Sequence, residues 1–292
     1  MQTNFEGRDN RLLQALPADD YARLVSMLQR VRIERGQVVC EQDSELQYVY
    51  FPITAVMSLQ CALADGSTCE VTGIGAEGLI GASLFMYDSM APNRALVQTG
   101  GWTYRGGAHR LAVEFSRGGA FQRLILRYVQ TLFMELTQSS ICNRRHSVEQ
   151  RLSRWLLGTL DRGEARELAA THEWLGEILG VRRESITAAA RTLQNCGAIR
   201  CRRGRLTVLD HRELEQRSCE CYGVVRALHS RLLNAGAAPP RPVREARPAH
   251  EPRPLLGVAR AQCDRYTQPL SIGADAPPGY GLNIATLPTL HR

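Results

Sequence analysis

Lysine is missing from this chain: all 36 of its basic side chains are arginine, set against 29 carboxylates for a net charge of +7. If the positive excess meets nucleic acid, it does so with planar guanidinium forks, which fit phosphate and guanine in pairs of hydrogen bonds. The arginine codons of a GC-rich genome would give the same count. No apolar run reaches the roughly 18 residues of a membrane span. The stretch Met1 to Arg11 is polar and has no apolar core of an export signal. These absences predict a cytoplasmic protein with no membrane partner. Nine cysteines are scattered through the chain, at 40, 61, 69, 142, 196, 201, 219, 221 and 263. No two pairs stand in the CxxC…CxxC spacing of a zinc site, and reduced thiols are expected. No metal or cofactor follows from the sequence. No nucleophile–base motif is present either. A metal-binding jelly-roll enzyme needs a histidine cluster, and only His109 lies in the β-rich segment. An enzyme is therefore not expected.

The organisation of the chain is legible in its periodicities. Apolar residues at Tyr21, Leu24, Val25 and Leu28 predict a helix over Asp19 to Arg30. From Val31 to about Phe115 short β-rich runs are split by glycine: Val38–Cys40, Tyr48–Phe51, Val56–Leu63, Glu70–Ile74 and Ala95–Thr99. Asp65-Gly66 between two of them is a hairpin signal, and the whole predicts an all-β roll. From Gly119 to about Asn143 the period becomes helical. Ile125, Val129, Leu132 and Leu136 step by 4, 3 and 4, the spacing of a coiled-coil seam and so of a homodimer. A helix buried inside one domain has the same spacing. After about Leu233 proline, arginine and alanine dominate, without an apolar period, and a disordered tail is expected.

The clearest motif lies between Thr171 and Gln194. Thr171 can cap a helix with apolar positions Trp174, Leu175, Ile178 and Leu179, which Gly180 ends. Val181 is the apolar turn residue. A second helix from about Arg183 places Ile186, Ala190 and Leu193 inward. This is a helix-turn-helix. The start of the second helix exposes Arg182, Arg183, Glu184 and Ser185, with Thr187 one turn on. Arg183 can fork onto guanine and Glu184 can accept from cytosine. The run Ile199 to Val208 alternates about a central Arg-Gly pair, which predicts a β-hairpin wing. Its Arg202, Arg203 and Arg205 would meet phosphates, which set position rather than sequence.

On Thr171-His172-Glu173-Trp174-Leu175-Gly176-Glu177-Ile178-Leu179-Gly180-Val181, followed by Arg183-Glu184-Ser185-Ile186, the chain resembles the cAMP receptor protein/FNR (Crp/Fnr) family of bacterial transcription regulators. The resemblance covers about residues 10 to 232. It implies an α+β architecture of four parts. These are a cyclic-nucleotide-binding-like β-roll sensor (10–118), a dimerisation helix (119–146), a winged helix-turn-helix (147–233) and a disordered tail (234–292). It also implies a homodimer on palindromic double-stranded DNA, with RNA polymerase as a further partner. Base reading would fall to Arg183 and Glu184. A second family arginine, four residues on, falls at Ala188, so the target sequence differs.

The effector site departs from the family pattern. In Gly81-Ala82-Ser83 an alanine stands where a glutamate would hold the ribose hydroxyl. In Arg94-Ala95 the arginine is kept without its following hydroxyl residue, about two residues further along. Losing a charged hydrogen bond costs roughly 1.5–3 kcal/mol, so cAMP is not the expected effector. Gly81, Ala82, Arg94 and Ala95 remain the candidate effector positions, and Arg94 serves equally as an anion holder or as the partner of a surface carboxylate. Iron–sulfur ligation of the FNR kind needs an N-terminal cysteine cluster, which is absent. An alternative is a redox- or metal-responsive regulator using the cysteines near the wing: Cys196, Cys201, Cys219 and Cys221.

Overall fold

The alternating runs of the first third fold into two antiparallel sheets. They lead into a long helix and then a helical unit closed by a small third sheet. A computed structural model describes residues 9–86, 89–163 and 167–234. Cys263 and, Asn234 apart, the expected tail lie outside the described residues. The order is α1 (Arg11–Gln14), α2 (Ala18–Val25), β1 (Gln29–Ile33), β2 (Val38–Cys40), β3 (Tyr48–Pro52), β4 (Val56–Ala62), β5 (Thr68–Ile74), a 3-10 turn (Ala82–Phe85), β6 (Arg94–Thr99) and β7 (Gly101–Gly107). Helices α3 (Ala108–Ser116), α4 (Gly119–Arg145) and α5 (Val148–Arg162) follow. Then come β8 (Glu167–Ala169), α6 (His172–Leu179), α7 (Arg183–Asn195), β9 (Ile199–Arg202), β10 (Arg205–Val208), α8 (His211–Gln216) and α9 (Cys221–Asn234).

The roll pairs β1-β7-β3 in one sheet and β2-β6-β4-β5 in the other. At the β4–β5 hairpin the Asp65 carboxylate accepts from the Ser67 amide and hydroxyl at 2.9 and 2.6 Å, a side-chain turn of the kind aspartate favours. Two elements differ from the expectation. The helix expected to reach Arg30 stops at Val25, and Gln29 to Ile33 instead pair with Arg105 to Gly101 of β7. Strand pairing overrides the local helical spacing there. Strand β7 is not among the expected runs; three of its seven residues are glycine, which weakens a strand pattern.

Helix α4 lies against the roll. Phe121, Leu124, Ile125 and Tyr128 join Leu12, Leu13, Val49, Phe51, Leu79 and Phe85 in one core, and the Tyr128 hydroxyl donates to the Leu79 carbonyl at 3.0 Å. Of the positions expected to form a seam, Ile125 is fully buried in its own chain's core. Val129, Leu132 and Leu136 are only half-buried, and Leu132 packs on both roll clusters. The apolar side chains that α4 turns to solvent are Leu126, Phe133 (70% exposed), Met134 and Ile141.

Roll and helical unit meet over a buried charge network. The Arg162 guanidinium, at the end of α5, donates to Glu77 at 3.0 Å and to Glu135 of α4 at 2.8 Å. Both carboxylates are nearly sealed from water, at 6% and 5% exposed. Gly75 makes room for the arginine: a Cβ there would stand 2.8 Å from the Arg162 Cβ. His229 of α9 reaches Glu135 at 2.9 Å and the Thr72 hydroxyl donates to it at 2.9 Å. Alongside, Glu70 of β5 accepts from Ser58 at 2.5 Å and from the Trp155 indole of α5 at 2.8 Å. Burial pushes the Glu70 carboxyl above the ordinary carboxylate range, while these two hydrogen bonds pull the other way.

Glu135 behaves oppositely. Burial would raise its pKa, but the Arg162 charge and His229 together hold it at about 2, against an ordinary 4.5. A depressed folded-state pKa gives stability that is complete above about pH 4.5 and lost as pH falls toward 2. The loss is on the order of 3 kcal/mol. Denaturant melts between those limits should therefore show a steep acid slope in the wild type and a clearly shallower one in Glu135→Gln. Equal slopes would remove Glu135 from the account.

Candidate nucleic-acid interface

The helix-turn-helix is built on a close approach of backbone to backbone. The Thr171 hydroxyl accepts from the Trp174 amide at 3.1 Å and starts α6. Gly180 ends α6 in the left-handed region (φ 60°). The chain then turns back so tightly that the Val181 amide donates to the Gly176 carbonyl at 2.9 Å. A Cβ at Gly176 would stand 2.8 Å from the Val181 carbonyl oxygen, a backbone atom that cannot swing aside, so only glycine fits. Helix α7 buries Ile186, Ala189, Ala190 and Leu193 in a core with Leu152, Leu156, Leu175, Ile199 and Leu206.

The opposite face of α7 is open. Arg182, Arg183, Glu184 and Thr187 are exposed there, and Ser185 is half-buried. Arg183, Glu184, Thr187, Ala188, Arg191, Thr192 and Asn195 line one continuous shallow surface. Arg191, Thr192 and Asn195 are functional candidates that the sequence reading passed over. The signal was available, since 183, 187 and 191 repeat every four residues, the spacing of one helix face. Arg183 stands 3.8 Å from Glu173 of α6, a loose exposed pair that leaves the fork free to move. Thr187 is more constrained. Its hydroxyl donates to the Arg183 carbonyl at 3.0 Å, and His172 Nδ1 lies 3.0 Å away on the other side. His172, also missed, thus ties the first turn of α6 to the exposed face of α7.

The wing forms as expected, with an added strand. Strand β10 pairs with β9 on one side and with β8 on the other. Its turn places Arg203 (φ 47°) and Gly204 (φ 75°) both in the left-handed region, as a tight two-residue hairpin requires. Arg202 and Arg203 are exposed. Arg205 forms an ion pair with Glu167 of β8, so its guanidinium is already engaged.

The candidate effector residues have different surroundings. Gly81 (φ 96°) precedes the 3-10 turn that Ala82 opens. Ala95 is fully buried among Tyr50, Met57, Ile80 and Val97. Arg94 Nε lies 3.2 Å from Glu41 Oε2 with about a third of its side chain exposed. Of the two roles open to Arg94, the structure displays the pairing with a surface carboxylate.

The cysteines regroup as well. Cys219 and Cys221 come together with Cys142 of α4 and with His146, its C-cap, while Cys196 and Cys201 pack against the helix-turn-helix core. A hydrogen bond from the Cys142 thiol, foremost, draws the Cys219 thiol below its ordinary range, and burial opposes it.

A helix pair with a left-handed glycine turn, a basic exposed second helix and a three-stranded wing define a DNA-binding winged helix-turn-helix protein. Residues 150–217 match the family model of the Crp-like helix-turn-helix domain. That stretch is thus a Crp-like helix-turn-helix domain, and the chain as a whole shares its fold with regulators of the CRP family. Among solved structures, a CRP-family transcriptional regulator from Thermus thermophilus is 18% identical, with a TM-score of 0.55, covering 64% of this chain and 96% of its own. The c-di-GMP-responsive global regulator CLP of Xanthomonas campestris is 17% identical (TM-score 0.55, 66% of this chain, 100% of its own). FixK2 of Bradyrhizobium japonicum is 13% identical (TM-score 0.54, 66% of this chain, 98% of its own). No curated protein matches the chain. Among the described residues, no helix is long and apolar enough to cross a membrane.

Proposed function

We propose that the chain acts in the cytoplasm as a homodimeric regulator that reads a near-palindromic operator through α7, under the control of an effector at the roll. The observation that carries this reading is the open face of α7, where Arg183, Glu184 and Arg191 stand opposite a fully buried apolar face. Sensor (10–118), dimer helix (119–146) and DNA-binding unit (147–233) are the working divisions. RNA polymerase is the expected further partner. Ala82 and the Arg94–Glu41 pair argue against cAMP as the effector.

Dimer symmetry would place two recognition helices about 34 Å apart, one turn of DNA. Arg183→Ala should relax one base position in each half-site, by roughly 1–3 kcal/mol of discrimination. Arg203→Ala should weaken all sequences alike and lower the salt slope by about one. Arg205, paired with Glu167, should contribute less than Arg203. Binding-site selection and a salt titration on each variant read these effects. An unchanged consensus with unchanged discrimination in Arg183→Ala would remove that residue's assigned role.

The grouping of Cys142, His146, Cys219 and Cys221 favours a second reading, a regulator that also responds to a metal ion or to thiol chemistry.

A further inference from the structure

Four side chains from two distant stretches of sequence converge where α4 ends and α9 begins. Cys142 lies on the last turns of α4, and His146 is the residue that caps it. Cys219 and Cys221 bracket the turn into α9, with Cys221 its first residue. Their ligand atoms all lie within 4.8 Å of one another, and the three thiols are buried. We propose that Cys142, His146, Cys219 and Cys221 bind one zinc ion per chain in a tetrahedral Cys3His site. This names the site of the metal-responsive reading above, and uptake of the ion is separable from DNA binding.

Two opposite edges of the group have the lengths of a zinc tetrahedron, and all six are at most 4.8 Å. Sulfur at about 2.3 Å and nitrogen at about 2.0–2.1 Å from a central zinc stand about 3.8 Å apart as a sulfur–sulfur edge and about 3.6 Å as a sulfur–nitrogen edge. The Cys142 and Cys219 sulfurs are 3.6 Å apart. The Cys221 sulfur and His146 Nδ1 are 3.5 Å apart. A set this tight encloses a single ion rather than a multi-iron cluster. Three thiolates and one imidazole are a soft donor set that selects zinc over magnesium or calcium. Four protein ligands leave no open position for a substrate, so the ion is not catalytic.

The surroundings support the same ion. His146 turns Nδ1 toward the cysteines, while its Nε2 lies 3.3 Å from the Glu220 carboxylate. A carboxylate on the far nitrogen fixes the imidazole tautomer and strengthens it as a ligand. The Gln138 amide donates to the Cys221 sulfur at 3.0 Å, the outer contact a bound thiolate accepts. At its other end α9 is held on α4 by Arg127, which donates to the Leu232 carbonyl at 2.7 Å, and by the His229–Glu135 contact. The ion would pin the two helices at the end nearer the DNA-binding unit.

The test uses the full chain, purified under reducing conditions, stripped with a chelator, then reloaded with zinc chloride or cobalt chloride. The expected result is one equivalent of zinc per chain, and with cobalt the intense visible bands of tetrahedral thiolate ligation. Cys142→Ser and Cys219→Ser should each abolish stoichiometric uptake, while Cys201→Ser retains it. Where a cysteine variant fails to fold, Glu220→Gln serves instead. Glu220 is largely exposed, and its loss should weaken the ion by roughly 10–100-fold through its contact with the ligating imidazole. Uptake well below one equivalent in the wild type would overturn the site. So would equal uptake in Cys142→Ser, or a pale octahedral cobalt spectrum. Operator binding measured on the same samples separates the two readings. Zinc uptake without DNA binding sinks the regulator and leaves the site, and the converse does the reverse.

Discussion

Arg162→Met is expected to lower the free energy of unfolding by about 3–5 kcal/mol. For a chain of this size that is a fall in Tm of roughly 10 °C. The arginine sits between Glu77 and Glu135, both nearly sealed from water. Methionine fills a similar volume but leaves two carboxylates facing each other without the cation. Removing one partner of a buried set costs far more than removing the whole set. Adding Glu77→Gln and Glu135→Gln to Arg162→Met should therefore restore most of the loss. Thermal and urea melts on the single and triple variants check this. A single variant within about 1 kcal/mol of wild type would mean the carboxylates relax to water, and the network would not hold the two units together.

The second large effect is expected at Phe133. Leu126, Val129, Phe133 and Leu136 step along α4 by 3, 4 and 3, and the first and third are exposed. This stripe keeps Val129 and Leu136 of the expected seam and puts Leu126 and Phe133 in place of Ile125 and Leu132. If it closes on its symmetry mate, Phe133→Glu sets two like charges near the axis, and the chain should sediment as a monomer. Operator affinity should fall with it by roughly 10²–10⁴, the advantage of binding two half-sites at once. Leu132→Glu should behave differently. Leu132 packs on the chain's own roll, so that variant should lose stability first. A Phe133→Glu chain that remains a dimer with intact operator binding refutes this seam.

Helix α4 shows where sequence reasoning runs short. A helix with apolar stripes on two sides has the right period for either. Only the packing of Ile125 and Tyr128 onto the roll decides which stripe is left over. The helix-turn-helix was far more legible, because its capping threonine, turn glycine and inward apolar positions are all local in sequence. Arg191 belonged to the same periodicity, whereas His172 enters through a contact between two helices. The hairpin wing was readable from its Arg-Gly turn, yet its third strand, Glu167–Ala169, is too short to leave a pattern. The four-residue cysteine and histidine group was beyond reach. Cys142 and Cys219 are 77 residues apart, and no spacing rule joins them. The charge network at Arg162 was hidden for the same reason.

The placement of Trp155 gives the molecule an optical handle. Its ring meets Trp174 of α6 edge to face at 5.6 Å, while its indole nitrogen is bonded to Glu70 of the roll. The chain has three tryptophans, and two of them form this one pair. Two of the three tryptophan signals in fluorescence and near-ultraviolet circular dichroism therefore report on the place where the roll and the helix-turn-helix unit touch. A small molecule that shifts β5 relative to α5 should change the spectrum without any label, so the native chain itself can serve to screen for one.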